Sequence, residues 1–139
     1  MKLVLTLTDL QQVLDTFDNG VLLPGTHSAT EGKLCALECV SRARGVAWSA
    51  DPSVVAMPDI RALNDARWSS ATTRTALLLP VLAALSPWPT WSDVRQHAWA
   101  TSVTVQTVNR IIAELPGLPN DIQQRCRDAK TPAQAVEAA

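Results

Sequence analysis

Hydrophobic residues recur at helical spacing through most of this chain. The first predicted helix has an apolar face made of Leu10, Val13, Leu14 and Phe17. Thr8 and the three residues after it match a capping box, which predicts that this helix begins there. Residues 2–7 alternate loosely in polarity, which allows one short N-terminal strand before the helix.

A second capping box, Ser28 to Glu31, predicts a helix that continues to Arg44 and ends at Gly45. One broad face of it carries mostly small side chains: Cys35, Ala36, Leu37, Cys39, Val40 and Ala43. Because small residues let another helix approach closely, we expect this face to be buried with its thiols inward. Glu38 falls outside that face and is expected in a solvated ion pair with Arg42.

Turn signals divide the middle of the chain. Asp51 precedes Pro52 in a predicted turn where its carboxylate accepts nearby backbone amides. Pro58 is placed to open a helix through about residue 67. Ser69 or Ser70 is then expected to cap a helix over residues 71–85. These elements predict a bundle over residues 1–86.

The prolines around Trp88 predict a break, after which residues 87–139 form a helical appendage of the same continuous domain. Helices are expected from Trp91 to about residue 100, from Thr104 to before Pro116, and from Asn120 through residue 130, with a frayed last turn after Thr131. The predicted fold class is therefore all-α, a compact helical bundle of about six to seven helices.

Composition supports a globular helical protein and excludes several classes. The 139 residues are 47% hydrophobic and 18% charged, with a net charge of −1, so no overall field attracts nucleic acid or anionic lipid. The longest apolar run, residues 76–85, is half the roughly 20 residues of a membrane span. An N-terminal apolar run of only residues 3–7 and three cysteines without a scaffold pattern favour a cytoplasmic protein.

One segment carries a resemblance. A Cys-x-x-Glu helix at Cys35, a Gly-x-x-Trp-Ser turn at Gly45, Pro52, an Asn64-Asp65 pair and then Arg74 follow in that order. This pattern resembles a group of small proteins of actinobacteria and their phages that has no established activity, and the match covers about residues 27–85. It departs at Ala50, where the group has Asp. The resemblance implies a shared fold and a phage or mobile-element origin.

The same segment holds the candidate chemistry. Cys35 and His27 suggest a thiol nucleophile with its base, oriented by Asp51 or Asp65. The alternative, which we favour, is that the thiols are core residues. No familiar zinc spacing is completed, so no metal or other cofactor is predicted.

A structural network is the preferred interpretation of these polar residues. Asn64 and Asp65 are expected to tether the Trp48 turn, with Arg74 as partner of Asp65 or Asp51. The full candidate set, as network or site, is His27, Cys35, Glu38, Trp48, Asp51, Asn64, Asp65 and Arg74.

The C-terminal helices suggest a different class. The predicted helices before and after Ser102 resemble a helix-turn-helix of repressor type. An apolar stripe of Val105, Val108, Ile111, Ile112 and Leu115 would face inward. Residues of types that contact base edges would face outward: Gln106, Asn109 and Arg110. The predicted turn is longer than this motif prefers and the second helix has one positive charge, so DNA binding is the alternative.

Tryptophan use favours protein binding. The chain has five Trp, no Tyr and one Phe, and Trp and Arg are the residues that most often anchor protein interfaces. The predicted partner-binding residues are Trp88, Trp91, Arg95, Arg61 and Arg67. We therefore expect a non-enzymatic cytoplasmic interaction protein with a protein partner. The resemblance further implies a phage factor that acts on a host defence or transcription component.

Overall fold

The computed structural model describes residues 1–17 and 19–138, and across these it is all-helical without a strand, in agreement with the predicted fold class. The α-helices of the described chain are α1 (Leu7–Leu14), α2 (Ala36–Arg44), α3 (Pro52–Val55), α4 (Arg61–Asp65), α5 (Ala71–Leu85), α6 (Asp93–Arg110), α7 (Asn120–Asp128) and α8 (Pro132–Ala138). Short 3-10 helices lie at Trp88–Thr90 and Ile112–Glu114. Two compact units result, Met1–Thr90 and Trp91–Ala139.

The N-terminal cap of helix α1 lies two residues before the predicted one. Its capping box is formed by Thr6, whose hydroxyl accepts from the Asp9 amide at 3.1 Å, while the Asp9 carboxylate accepts from the Thr6 amide at 2.8 Å. Lys2 Nζ donates to the same carboxylate at 2.7 Å, and these contacts lower the pKa of Asp9 to about 2. Leu10, with the two other apolar residues that follow it in the helix, is buried as predicted.

Helix α2 is shorter than predicted and begins at Ala36. Ser28 and Glu31 do interact, because the Ser28 amide donates to the Glu31 carboxylate at 2.9 Å, but the turn they form does not continue as a helix. Gly32 follows with a φ of +69°, a left-handed conformation that takes the chain out of the helical path. At the other end, Gly45 adopts the predicted left-handed cap with a φ of +71°.

The starts of α3, α4 and α5 are set by side chains that accept hydrogen bonds from backbone amides. Asp51 caps α3 by accepting from the Ser53 amide at 2.8 Å, as its turn chemistry predicts. The helix expected at Pro58 is instead the short α4, because the Asp59 carboxylate accepts from the Arg61 amide at 3.1 Å and delays the start. Ser70 caps α5, which has the predicted bounds.

A buried arginine joins the end of α2 to both ends of the first unit. The Arg44 side chain is 2% exposed, and it donates to the carbonyls of Lys2 and Leu3 at 3.0 Å each. Its other terminal nitrogen donates to the Ser86 carbonyl at 2.8 Å. Ser86 Oγ in turn accepts from the Leu5 amide at 2.8 Å. The N-terminal segment is thereby fixed beside the end of α5.

The predicted helix-turn-helix is wrong, because residues 93–110 form one continuous helix capped by Ser92. This stretch contains no Gly or Pro that would break it. Thr104, the predicted cap of a second helix, instead donates its hydroxyl to the Ala100 carbonyl at 3.0 Å from within the helix. There is consequently no separate recognition helix.

The core of the second unit surrounds the end of α6. The buried residues of this cluster are Val108, Ala113, Cys126, Ala129, Ala135 and Ala138. Ile111 and Leu115, predicted to face inward, are 59% and 44% exposed. Chain after residue 131, expected to be frayed, forms α8 and contributes two alanines to the core.

Asn109 is partly buried beside this core and does not face outward as the DNA-binding alternative required. Its amide nitrogen donates to the carbonyls of Cys126, Arg127 and Ala129 at the C-terminal end of α7. Carbonyls of a last helical turn have no partner within the helix, so the Asn109 amide acts as their cap.

We expect Asn109→Ala to lower the free energy of unfolding by about 1–3 kcal/mol, because it leaves partly buried carbonyls without a donor. Urea unfolding followed by circular dichroism measures the change. Gln106→Ala is the matched control, since Gln106 is exposed on the same helix, and it should cost under about 0.5 kcal/mol. Equal effects of the two substitutions would contradict the capping role.

Candidate functional site

Glu38 is the centre of the polar network in the first unit. It is 1% exposed, and its carboxylate accepts from the Cys35 amide at 2.7 Å, from the His27 amide, and from His27 Nδ1 at 2.9 Å. The predicted solvated pair with Arg42 is therefore wrong. Because α2 begins at Ala36, Glu38 occupies the third helical position and turns back to the cap residue Cys35, which completes a capping box.

Trp48 links the turn after α2 to the loop that contains His27. Its indole Nε1 donates to the His27 carbonyl at 2.7 Å, and its ring lies 6.1 Å from the ring of Phe17. His27 therefore bonds through its amide, its imidazole and its carbonyl to groups at both ends of α2.

Asn64 forms the second half of the network. It is 3% exposed, its side-chain oxygen accepts from the Ala36 amide at 3.0 Å, and its nitrogen donates to Leu23 O at 3.1 Å. The Asn64 nitrogen also donates to the Asp65 carboxylate at 2.7 Å, and that carboxylate accepts from the Gly25 amide at 2.8 Å. The first turn of α2 and the preceding loop are thus bonded to α4.

Arg74 lies beside this group but has partners other than the predicted ones. Its guanidinium donates to the Asn64 carbonyl at 2.9 Å and, over longer distances, to the carbonyls of Leu22 and Ala66. No bond to Asp65 or Asp51 is found among the described contacts. The Asp51 carboxylate instead accepts from the amide and the hydroxyl of Ser53, in the cap of α3. The contacts of the network are those of a structural anchor, because five of its side chains bond the backbone of another segment: Glu38, Trp48, Asn64, Asp65 and Arg74.

The cysteines do not have the environment of an activated nucleophile. Cys35 and Cys39 are 3% and 0% exposed, and burial raises the pKa of each thiol to about 12. The imidazole of His27 points to Glu38. Cys126 is buried in the other unit. Within the described chain, no three His, Cys, Asp or Glu side chains are grouped so that they could hold a metal ion.

The second unit offers an exposed helix instead. In α6, residues 93–107 include none that is buried, although the helix continues into the core at Val108. One side of it, which we call the Trp99 face, consists of Arg95, Trp99, Val103, Gln106 and Arg110, with Ile111 at its end. Spacings of three and four residues place these side chains in one row. Sequence reasoning missed Trp99 and Val103 because it placed a turn between them.

The predicted partner-binding residues are divided between the units. Trp91 and Arg95 belong to the second unit, where the Arg95 guanidinium lies 4.0 Å from the centre of the Trp91 ring. Trp88 is half-buried in the 3-10 helix that ends the first unit. Arg61 is paired with Asp59 at 2.6 Å, and Arg67 is exposed.

Comparison with protein-family models, curated protein sequences and solved structures found no match to this chain. None of the helices in the described residues combines the length and apolarity needed to cross a bilayer.

The burial of Cys35 and Cys39 predicts slow alkylation of the native protein. At pH 8 a thiol with a pKa of about 12 has roughly a thousandfold less thiolate than free cysteine, so iodoacetamide labelling should be slower by about that factor. Since the thiolate fraction grows with pH below the pKa, the rate should rise about tenfold per pH unit. Peptide mapping measures it, and labelling in guanidinium chloride is the control. Native labelling of Cys35 at the rate of free cysteine would restore the thiol-enzyme hypothesis.

Glu38→Gln should lower the free energy of unfolding by about 1–3 kcal/mol, because the new amide group faces buried N–H donors and leaves one of them unpaired. Glu31→Gln removes the same charge from an exposed position of the same loop and should cost under about 0.5 kcal/mol. Urea unfolding measures the free energy of unfolding of both variants. A loss for Glu31→Gln as large as that for Glu38→Gln would contradict the role given to Glu38.

Proposed function

We propose that this protein is a non-enzymatic interaction module that binds a protein partner through the Trp99 face of α6. The observation that carries the proposal is a helix of four turns, residues 93–107, without a buried residue. Most helices of globular proteins are stabilised by packing an apolar face, so a helix whose apolar and aromatic residues stay at least partly exposed is typical of a recognition surface.

The composition of the face supports binding to protein. Trp and Arg are the residues most enriched among those that dominate binding energy at interfaces. Arg95 and Arg110 are exposed and Trp99 is partly exposed, while Val103 and Ile111 expose 43% and 59% of their surface. Such a mixture of apolar and guanidinium groups suits a partner surface that is also partly apolar.

The stacking of Arg95 on Trp91 favours binding further. A guanidinium 4.0 Å from a ring centre is held by a cation–π interaction, which restricts the rotamers of a long side chain. Arg95 therefore loses less side-chain entropy when it binds the partner protein.

Charge indicates the chemistry of the partner. The Trp99 face has two arginines and no carboxylate. We therefore expect an acidic or carbonyl-rich partner surface around an apolar centre, with Arg95 and Arg110 as bidentate donors about 22 Å apart along the helix.

The resemblance to proteins of actinobacteria and their phages is the basis for a narrower proposal. This narrower proposal is that the chain is a phage or mobile-element factor whose partner is a cytoplasmic component of host defence or transcription. DNA as the ligand has less support, because the helix-turn-helix is replaced by one helix and Asn109 caps α7.

Pull-down with the tagged full chain from a lysate of its natural host, followed by quantitative mass spectrometry, tests the proposal. We expect one protein in stoichiometric amount. The double variant Arg95→Glu/Arg110→Glu should reduce its capture about tenfold or more, because each reversal replaces an attraction with a repulsion at the interface.

Arg125→Glu is the matched control, since Arg125 is an exposed arginine of the same unit that lies off the Trp99 face. It should capture the partner as the unmodified chain does. Absence of any stoichiometric protein, or equal loss with the control variant, would refute binding through this face.

A further inference from the structure

A second side of α6 forms an apolar groove, which meets the Trp99 face at Gln106. We call it the Val94 groove, and its floor is made of Val94, Ala98, Thr101 and Val105. Val94 is 81% exposed. Asp93 lies at the N-terminal end of the groove, and Lys130, from the segment between α7 and α8, also lines it.

The groove continues the stripe by which α6 packs within its own unit. One turn beyond Val105, Val108 is buried in a cluster with Ala135 and Ala138 of α8. The stripe is thus buried at its C-terminal end and contains no buried residue over about 16 Å from Val94 to Val105. An element that lies along α6 there would extend an existing helix–helix contact.

We propose that the occupant is a second copy of this chain, bound with its α6 antiparallel in the Val94 groove to form a symmetric dimer. The spacing of the floor residues is self-complementary about the midpoint between Trp99 and Ala100. In an antiparallel pair, Val94 of one copy lies opposite Val105 of the other, and Ala98 lies opposite Thr101. Small residues at the centre let the two helices approach closely.

Charge selects this arrangement over a parallel one. Lys130 lies near the C-terminal end of the groove, because Ala129 O accepts from Asn109. Antiparallel pairing therefore places Asp93 of each copy beside Lys130 of the other, which gives two attractive pairs by symmetry. A parallel pair would instead bring like charges together. The row from Arg95 through Trp99 to Arg110 lies about 120° around the helix axis from the floor of the groove, outside this contact in both copies.

Sedimentation equilibrium of the purified full chain from about 10 μM to 1 mM tests the dimer, since a contact of one helix per copy belongs to the small, transient class of interfaces. Asp93→Lys and Lys130→Asp should each weaken dimerisation about tenfold or more, because each turns two attractions into two repulsions. The double variant Asp93→Lys/Lys130→Asp should restore dimerisation to within about threefold of the unmodified chain.

Asp121→Lys is the matched control, because it reverses a first-turn carboxylate of α7 outside the groove and carries the same cost to the helix dipole. It should leave dimerisation unchanged, and circular dichroism should show that all variants are folded. A chain that stays monomeric throughout, a higher oligomer, or a dimer that the single reversals do not weaken would overturn the proposal. None of these results bears on the Trp99 face, which the pull-down tests separately.

Discussion

The first unit depends on buried polar side chains at the two ends of α2. Residues 19–35 contain no helix, and several of their amides and carbonyls bond to side chains from other segments. At the N-terminal end of α2, Glu38 and Asn64 accept hydrogen bonds from backbone amides. At its C-terminal end, Arg44 donates to a backbone carbonyl. A carboxylate in the first turn and a guanidinium in the last turn also suit the helix dipole. Helix α2 thus fixes segments that have little secondary structure of their own.

This arrangement explains why these residues resemble a catalytic group in the sequence. His27, Cys35, Glu38, Asn64 and the neighbouring carboxylates are residue types that both active sites and hydrogen-bonded cores use. Their bonds separate the two cases. The Glu38 carboxylate accepts hydrogen bonds from two amides and an imidazole. The thiol of Cys35 is buried, which disfavours its charged form.

The sequence allowed the fold class, the bounds of α5 and the inward thiols to be predicted, because local caps and apolar spacing determine them. It did not locate the start of α2, since the Ser28 capping box forms a turn that Gly32 then ends. The break in α6 was predicted because Thr104 suits a cap, although a threonine can also bond to the preceding turn. That error concealed the Trp99 face, whose members fall in one row only when the helix is continuous. The partners of Arg74 are carbonyls that lie 8 to 52 residues away, and no local pattern encodes them.

The second unit divides its longest helix into a buried end and an exposed remainder. Its small core encloses the end of α6, and the preceding four turns contain no buried residue. If the Val94 groove pairs two copies, each dimer presents two Trp99 faces held by one rigid pair of helices. A partner with repeated sites could then be bound twice, and the second contact would form at high effective concentration without any new residue. Two weak surfaces on one helix would together supply an affinity that neither has alone, which is a physical reason for a small chain to leave so long a helix uncovered.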